Sequence, residues 1–244
     1  MQANYSLQVF DSTGLLCQAA ATFMVDIAVK AVADRGRFTL SLSGGHTPEQ
    51  LYGLLATPPF KEQLPWKDTY IFWGDERCVP ATDERNNSNM AKRILLDKIS
   101  VSSTNIYPVP VELPPAEAAI EYDREIKNLF KHHPPQFDLI LLGLGENGHT
   151  ASLFPGTKVL NETIHLVKEV YVEEQKMFRV TMTAPLINQA HHVLFLVTGK
   201  EKAPILKTIL KDRYDPNNFP AQLIQPDHGS LYWMLDENAA SLLY

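Results

Sequence analysis

Cysteine is scarce in this chain: its 244 residues hold two, Cys17 and Cys78. Two thiols cannot frame a disulfide-stapled fold or a cysteine metal cluster, and they read as packed small residues in a reducing cytosol. A basic excess is also missing. Lys and Arg number 22 against 28 Asp and Glu, a net charge of −6. That balance argues against a protein living on nucleic acid, but says little about small anions met in a local cleft. The N-terminus has no basic region followed by a long apolar stretch, so no signal peptide is expected. No run approaches the length of a transmembrane helix. Internal repeats, low-complexity segments and composition breaks are absent. The expectation is one cytoplasmic domain over residues 1–244, with no membrane and no nucleic-acid partner.

What the chain does have is enough apolar residue, 45% against 20% charged, for one large α/β core. The stretch from Phe137 to Gly156 stands out. Leu139 to Leu142 is an unbroken apolar run, too short for a helix, and reads as a parallel strand buried on both faces. Gly143, Gly145 and Gly148 follow it, and His149 comes directly after. Glycine lets backbone turn sharply and approach a ligand closely. Ligands in open α/β sheets sit at the carboxyl ends of strands, so His149 is the candidate catalytic residue. The same glycines satisfy G-x-G-x-x-G, the dinucleotide fingerprint. That motif needs a long helix after its third glycine, and Pro155-Gly156 leaves no room for one. No cofactor and no metal is expected.

Elsewhere, strands are expected at residues 6–10, 38–42, 69–73, 177–183, 193–197 and 232–235. Helices are expected at 12–35, after Thr47, from Ser88 to about Lys98, from Ala116 to about His132, after Lys200, and briefly from Asp236. Strands alternating with helices indicate a single doubly wound, mostly parallel sheet with helices on both faces. Ser43-Gly44-Gly45 precede a helix start at which Thr47 is the expected N-cap, Pro48 the first helical residue and Gln50 the end of a capping box. Free N–H groups there make either an anion cradle or a tight turn. Gly74-Asp75-Glu76-Arg77 places three charges at a strand end, either solvated loop or site. Arg179 lies on the polar face of an alternating strand, as ligand contact or as solvent-facing residue. Lys200 opposes the dipole of the helix it opens, which hints that it answers to a ligand. His132-His133 read as a solvated helix end.

Taken in order, Ser43-Gly44-Gly45, Gly74-Asp75-Glu76-Arg77-Cys78-Val79-Pro80, Ser88-Asn89 and Gly148-His149-Thr150-Ala151-Ser152-Leu153-Phe154-Pro155 resemble the 6-phosphogluconolactonases. Arg179-Val180-Thr181-Met182-Thr183, Gly199-Lys200-Glu201-Lys202-Ala203 and Trp233-x-Leu235-Asp236 extend the match over nearly the whole chain. The glucosamine-6-phosphate isomerases share that fold but differ after the histidine. The resemblance implies hydrolysis of 6-phospho-D-glucono-1,5-lactone to 6-phospho-D-gluconate in the oxidative pentose phosphate route, without a cofactor. It implies His149 as general base near its ordinary pKa of about 6.5. It implies Ser43, Gly44, Gly45, Asp75, Arg77, Asn147, Arg179 and Lys200 as substrate-binding residues, with Asp75 on sugar hydroxyls or orienting Arg77. Two positions depart from the family pattern. His46 stands where a serine is frequent, and Asn147 where an aspartate is common, so an asparagine would orient His149 without lending it charge. A sugar phosphate is the expected partner, and the chain a monomer or weak homodimer. The rival readings are a sugar-phosphate isomerase of the same fold and a non-catalytic sugar-phosphate sensor.

Overall fold

The fold is described here from a computed structural model, covering residues 5–131 and 133–244. The elements in chain order are β1 (Tyr5–Phe10), α1 (Thr13–Arg35), β2 (Phe38–Leu42), α2 (His46–Leu55), α3 (Phe60–Gln63), β3 (Thr69–Trp73), β4 (Asp75–Arg77) and α4 (Asn87–Ile94). Then come α5 (Pro115–Phe130), β5 (Leu139–Leu142), β6 (Val167–Val172), β7 (Met177–Met182), α6 (Ala184–Asn188), β8 (His192–Val197), α7 (Ala203–Lys211), β9 (Ser230–Asp236) and α8 (Glu237–Ala240). Six strands form one sheet in the order β1-β9-β8-β5-β2-β3, every pairing parallel. This is the doubly wound α/β sheet the alternation indicates. It is not alone. A second, antiparallel sheet, β4-β7-β6, packs beside it.

The strand sequences explain why both faces of the main sheet are covered. Leu40, Leu42, Ile71, Trp73, Leu139, Leu141, Leu194 and Leu196 bury one side under α1, α2 and α4. Phe72, Ile140, Leu142, Val193, Phe195, Val197 and Trp233 bury the other under α5, α7 and the small sheet. Runs this apolar belong to parallel strands with no solvated face. α1 also has the length and composition to cross a membrane, with an 18-residue window of mean hydropathy 1.6. That corrects the expectation that no run reaches such a length. Its apolar residues are interleaved with Gln18, Asp26 and Lys30, and Leu16, Ala20, Met24 and Ala31 are fully buried against the core.

Several local expectations are revised. Thr47 does not cap α2. The N-cap is Gly45 at φ 106, with no side-chain cap, because the chain enters the helix through a left-handed turn that a β-branched residue resists. Thr47 instead bonds the Thr198 hydroxyl at 2.6 Å. Ser88 is not the cap of α4 either. Asn86 is, its Oδ1 accepting from Asn89 N at 2.8 Å and from Ser88 Oγ at 2.7 Å. Asp75, Glu76 and Arg77 are strand β4, not loop, and β6 was not foreseen. α5 ends at Phe130 and His133 is exposed, while His132 lies outside the described residues.

Three sets of buried polar contacts fix the strand ends, two of them at the end that carries the site. The Tyr52 hydroxyl accepts from Ser43 N at 2.9 Å and donates to Ser43 O at 2.8 Å. Tyr122 does the same for Trp73, at 2.7 and 3.1 Å. At the opposite end, Asp138 accepts from Thr39 N at 2.7 Å, from Thr39 Oγ1 at 2.8 Å and from Arg35. Removing the Asp138 carboxylate leaves two buried donors on Thr39 unpaired, each worth about 1–3 kcal/mol. Asp138→Ala is therefore expected to lower stability by roughly 2–4 kcal/mol. The check is the urea midpoint, read at unchanged slope, and a shift equivalent to under about 1 kcal/mol would contradict the reading.

Candidate active site

One cleft of about 470 Å³ opens over the carboxyl ends of the central strands. Ser43, Gly44, Gly45, Asp75, Arg77, His149 and Arg179, all named from sequence, line it together. Asn147 is not in its lining but bonds His149 from behind. Lys200 is exposed and outside the lining; Lys202 lines the cleft instead. The 3₁₀ turn Lys200–Lys202 sets that difference, since it rotates the second lysine, not the first, toward the strand ends.

The histidine is positioned by its glycines. A Cβ on Gly145 would fall 2.0 Å from His149 Nδ1, so the imidazole lies flat on bare backbone. Gly145 N donates to His149 O at 2.8 Å and Gly148, at φ 81, turns the chain between them. No helix begins at Gly148, as a dinucleotide site would require; Thr150 and Leu153 form a tight bridge instead. Asn147 Oδ1 accepts from the His149 backbone N at 3.2 Å and meets Nδ1 at 2.5 Å. An amide oxygen offers only lone pairs, so Nδ1 carries the hydrogen and Nε2 keeps a free lone pair. Phe154 stacks on the ring with centroids 4.0 Å apart. The site thus fixes both the plane and the tautomer of the imidazole.

Electrostatics depart from expectation. His149 is held at about 4, not near its usual value, chiefly by burial. Asp75 opposes that shift, and Arg179, Lys202 and Arg77 reinforce it. The ring is neutral throughout the physiological range. Asp75 does not orient Arg77. Its Oδ2 accepts from Ser152 Oγ at 2.5 Å and from Arg179 Nη1 at 3.3 Å. Arg179 also reaches Gln175 and lies 5.3 Å over the Phe154 ring. Ser152 was not singled out from sequence, although it sits inside the quoted His149-to-Pro155 stretch. It reaches Asp75 because Ala151 adopts a positive φ of 47°, uncommon outside glycine. Arg77 donates to Arg85 O at 2.6 Å, while its own Nε is buried without a partner.

The cradle of free N–H groups is present. No acceptor among the described residues takes the N–H of Gly44, Gly45, His46 or Thr47. Ser43 Oγ is buried and equally unpartnered beside them. Unpaired donors at a helix start suit an anion. His46 is exposed and pairs with Glu49 at 3.7 Å, so it belongs to the rim of the loop. No group of His, Cys, Asp and Glu among the described residues has metal-holding geometry.

Comparison with known proteins gives the chain a family. The sequence pattern of the family described as "Glucosamine-6-phosphate isomerases/6-phosphogluconolactonase" matches residues 11–233, and the chain belongs to that family. It is 41% identical to a 6-phosphogluconolactonase of Synechocystis sp. over 94% of each chain. It is 35% identical to the 6-phosphogluconolactonase of a Nostoc species, over 96% of this chain and 95% of that one. Among solved structures, 6-phosphogluconolactonase from Trypanosoma cruzi superposes with a TM-score of 0.88 at 30% identity, covering 100% of this chain and 98% of that one.

The direct check on the histidine is an NMR titration of the imidazole ring nitrogens. His149 is expected to titrate near pH 4, with the proton on Nδ1 above that pH. A midpoint near 6.5, or a proton on Nε2, would contradict the geometry described. In Gly145→Ala the added methyl evicts the ring, and the signature should revert toward that of a free histidine.

Proposed function

We propose that this chain is a 6-phosphogluconolactonase, hydrolysing 6-phospho-D-glucono-1,5-lactone to 6-phospho-D-gluconate as a single cytoplasmic domain over residues 1–244. The observation that carries it is a neutral, tautomer-fixed histidine facing the same cleft as a set of donors that no group among the described residues pairs. The proposed assembly is a monomer or weak homodimer. Two free, unpaired cysteines fit a reducing compartment. The resemblance further favours a place in the oxidative pentose phosphate route.

The lactone carbonyl is already electrophilic, so the chemistry needs a positioned water and a proton relay. His149 Nε2 takes a proton from water as its oxygen adds to C1, giving a tetrahedral oxyanion. Collapse breaks the bond from C1 to the ring oxygen, and the imidazolium returns the proton to that oxygen. General base catalysis of this kind typically contributes about 100- to 10,000-fold. A histidine held near 4 is a weak base but a strong acid in its protonated form, which favours the second transfer. The substrate's phosphate dianion, entering a cleft with Arg77, Arg179 and Lys202, offsets the cationic part of that shift. Held by the N–H groups from Gly44 to Thr47, the phosphate would fix the carbonyl against His149, so remote binding serves the chemistry. Arg179, held by Asp75, Ser152 and Gln175, is preorganised for the sugar or the developing oxyanion.

The test is lactone hydrolysis followed against a buffer blank, because the substrate also opens spontaneously. Acceleration is expected with the phosphorylated lactone. Ammonia release from glucosamine 6-phosphate would favour the isomerase reading, and binding without acceleration the sensor. Lys202→Ala should cost roughly 10- to 100-fold in kcat/KM for the phosphorylated lactone, the worth of one charge-assisted hydrogen bond. It should barely change the rate on unphosphorylated glucono-1,5-lactone. Equal damage to both substrates would remove Lys202 from phosphate binding.

A further inference from the structure

Asn87 opens α4 yet is turned inward, 3% exposed, and lines the cleft. Its orientation is unambiguous. Nδ2 donates to Asp75 O at 2.9 Å, and a carbonyl can only accept, so Oδ1 must face the other way. That way lies Gly44: a Cβ there would sit 2.0 Å from Asn87 Oδ1. Gly44 has no positive φ to explain its identity. It is bare because the asparagine amide occupies the side-chain space. No donor among the described residues reaches Asn87 Oδ1.

An inward-facing asparagine at a helix start needs a reason to stay put, and Glu76 supplies it. The Glu76 carboxylate is fully buried and accepts from Asn87 N at 2.7 Å, Ser88 N at 2.8 Å and Arg77 N at 2.9 Å. It thereby takes up the first free N–H groups of α4, where a negative charge is favoured. Burial pushes this carboxyl up to about 7 against the pull of those three bonds. A buried carboxylate held only by N–H donors is costly. Here it fixes the helix end that aims Asn87.

We propose that Asn87 is a substrate-contacting specificity residue, its Oδ1 accepting a hydrogen bond from a hydroxyl of the bound sugar acid beside Gly44, with Glu76 as its positioning residue. This rests on the sugar-phosphate reading of the cleft. An acceptor that the bound ligand covers and leaves without a donor rejects ligands that lack the matching hydroxyl. The residue therefore selects for the polyhydroxy chain, separately from the groups that hold the anion.

The experiment is calorimetric titration of 6-phosphogluconate, and of its analogues each lacking one hydroxyl, into wild type and Asn87→Ala, with inorganic phosphate as the control ligand. The variant is expected to bind 6-phosphogluconate about tenfold more weakly and phosphate unchanged. One deoxy analogue should show that same loss in wild type and no further loss in the variant. Glu76→Gln opposes an amide N–H₂ to Ser88 N, and should raise KM several-fold with kcat nearly kept. Where Asn87→Ala does not fold, Asn87→Ser takes its place and the deoxy series on wild type still applies. The proposal is overturned if phosphate weakens as much as the sugar acid, if the losses simply add for every analogue, or if no hydroxyl matters. A wild type that hydrolyses no lactone is a failure of the proposed function; intact hydrolysis with an indifferent Asn87 is a failure of this inference alone.

Discussion

Asp75 lies 7% exposed where the small antiparallel sheet meets the parallel one, and three other elements converge on it. One carboxylate oxygen accepts from Ser152, on the loop after β5, and from Arg179 on β7. Its backbone carbonyl accepts from Asn87 on α4, and β4 itself pairs with β7. The same charge opposes the depression of His149. A buried pair of this kind contributes little net stability, because both ions lose water. What it contributes is registry. Pulling Asp75 out would leave Arg179 buried and uncompensated and release three walls of the cleft at once.

Around that hub the cleft divides into two chemistries. On one side, donors without acceptors gather at the start of α2: N–H groups from Gly44 to Thr47 and the Ser43 hydroxyl. On the other, a histidine without charge rests on Gly145 with one nitrogen committed and one free. The separation matters physically. A cationic histidine would compete for an anion and lose its basic lone pair, whereas burial and three neighbouring cations keep it neutral. Asparagine at 147 suits this arrangement, since it fixes the tautomer without the negative charge that would draw a proton onto the ring.

Much of this was legible in the residues, and the boundary follows the range of the interactions. The run Leu139–Leu142, its glycines and His149 are local, so strand, turn and imidazole could be read together. The main sheet's inner strands β2, β5 and β8 were readable because nearly every residue in them is buried. What failed was set by contacts distant in sequence. Asp75 and Arg179 are 104 residues apart, and no local pattern says which arginine the aspartate holds. β6 was missed because Lys168, Glu169 and Tyr171 stay partly or fully exposed along a sheet edge and break the apolar pattern. Thr47 has the composition of a cap, but its hydroxyl is drawn to Thr198, 151 residues away. Lys200 and Lys202 flank a single glutamate, and only the 3₁₀ geometry decides which one turns inward. The low value of His149 is likewise a property of burial, which composition does not record.

The central claim is that phosphate and carbonyl are held at opposite sides of one cleft, with His149 Nε2 on the carbonyl side. A crystal structure with 6-phosphogluconate bound tests it most directly. The phosphate is expected on the N–H groups from Gly44 to Thr47 with Lys202 close by, and a C1 carboxylate oxygen within about 3 Å of His149 Nε2. A product lying the other way round, with phosphate on His149 and C1 beyond the reach of that nitrogen, would contradict it.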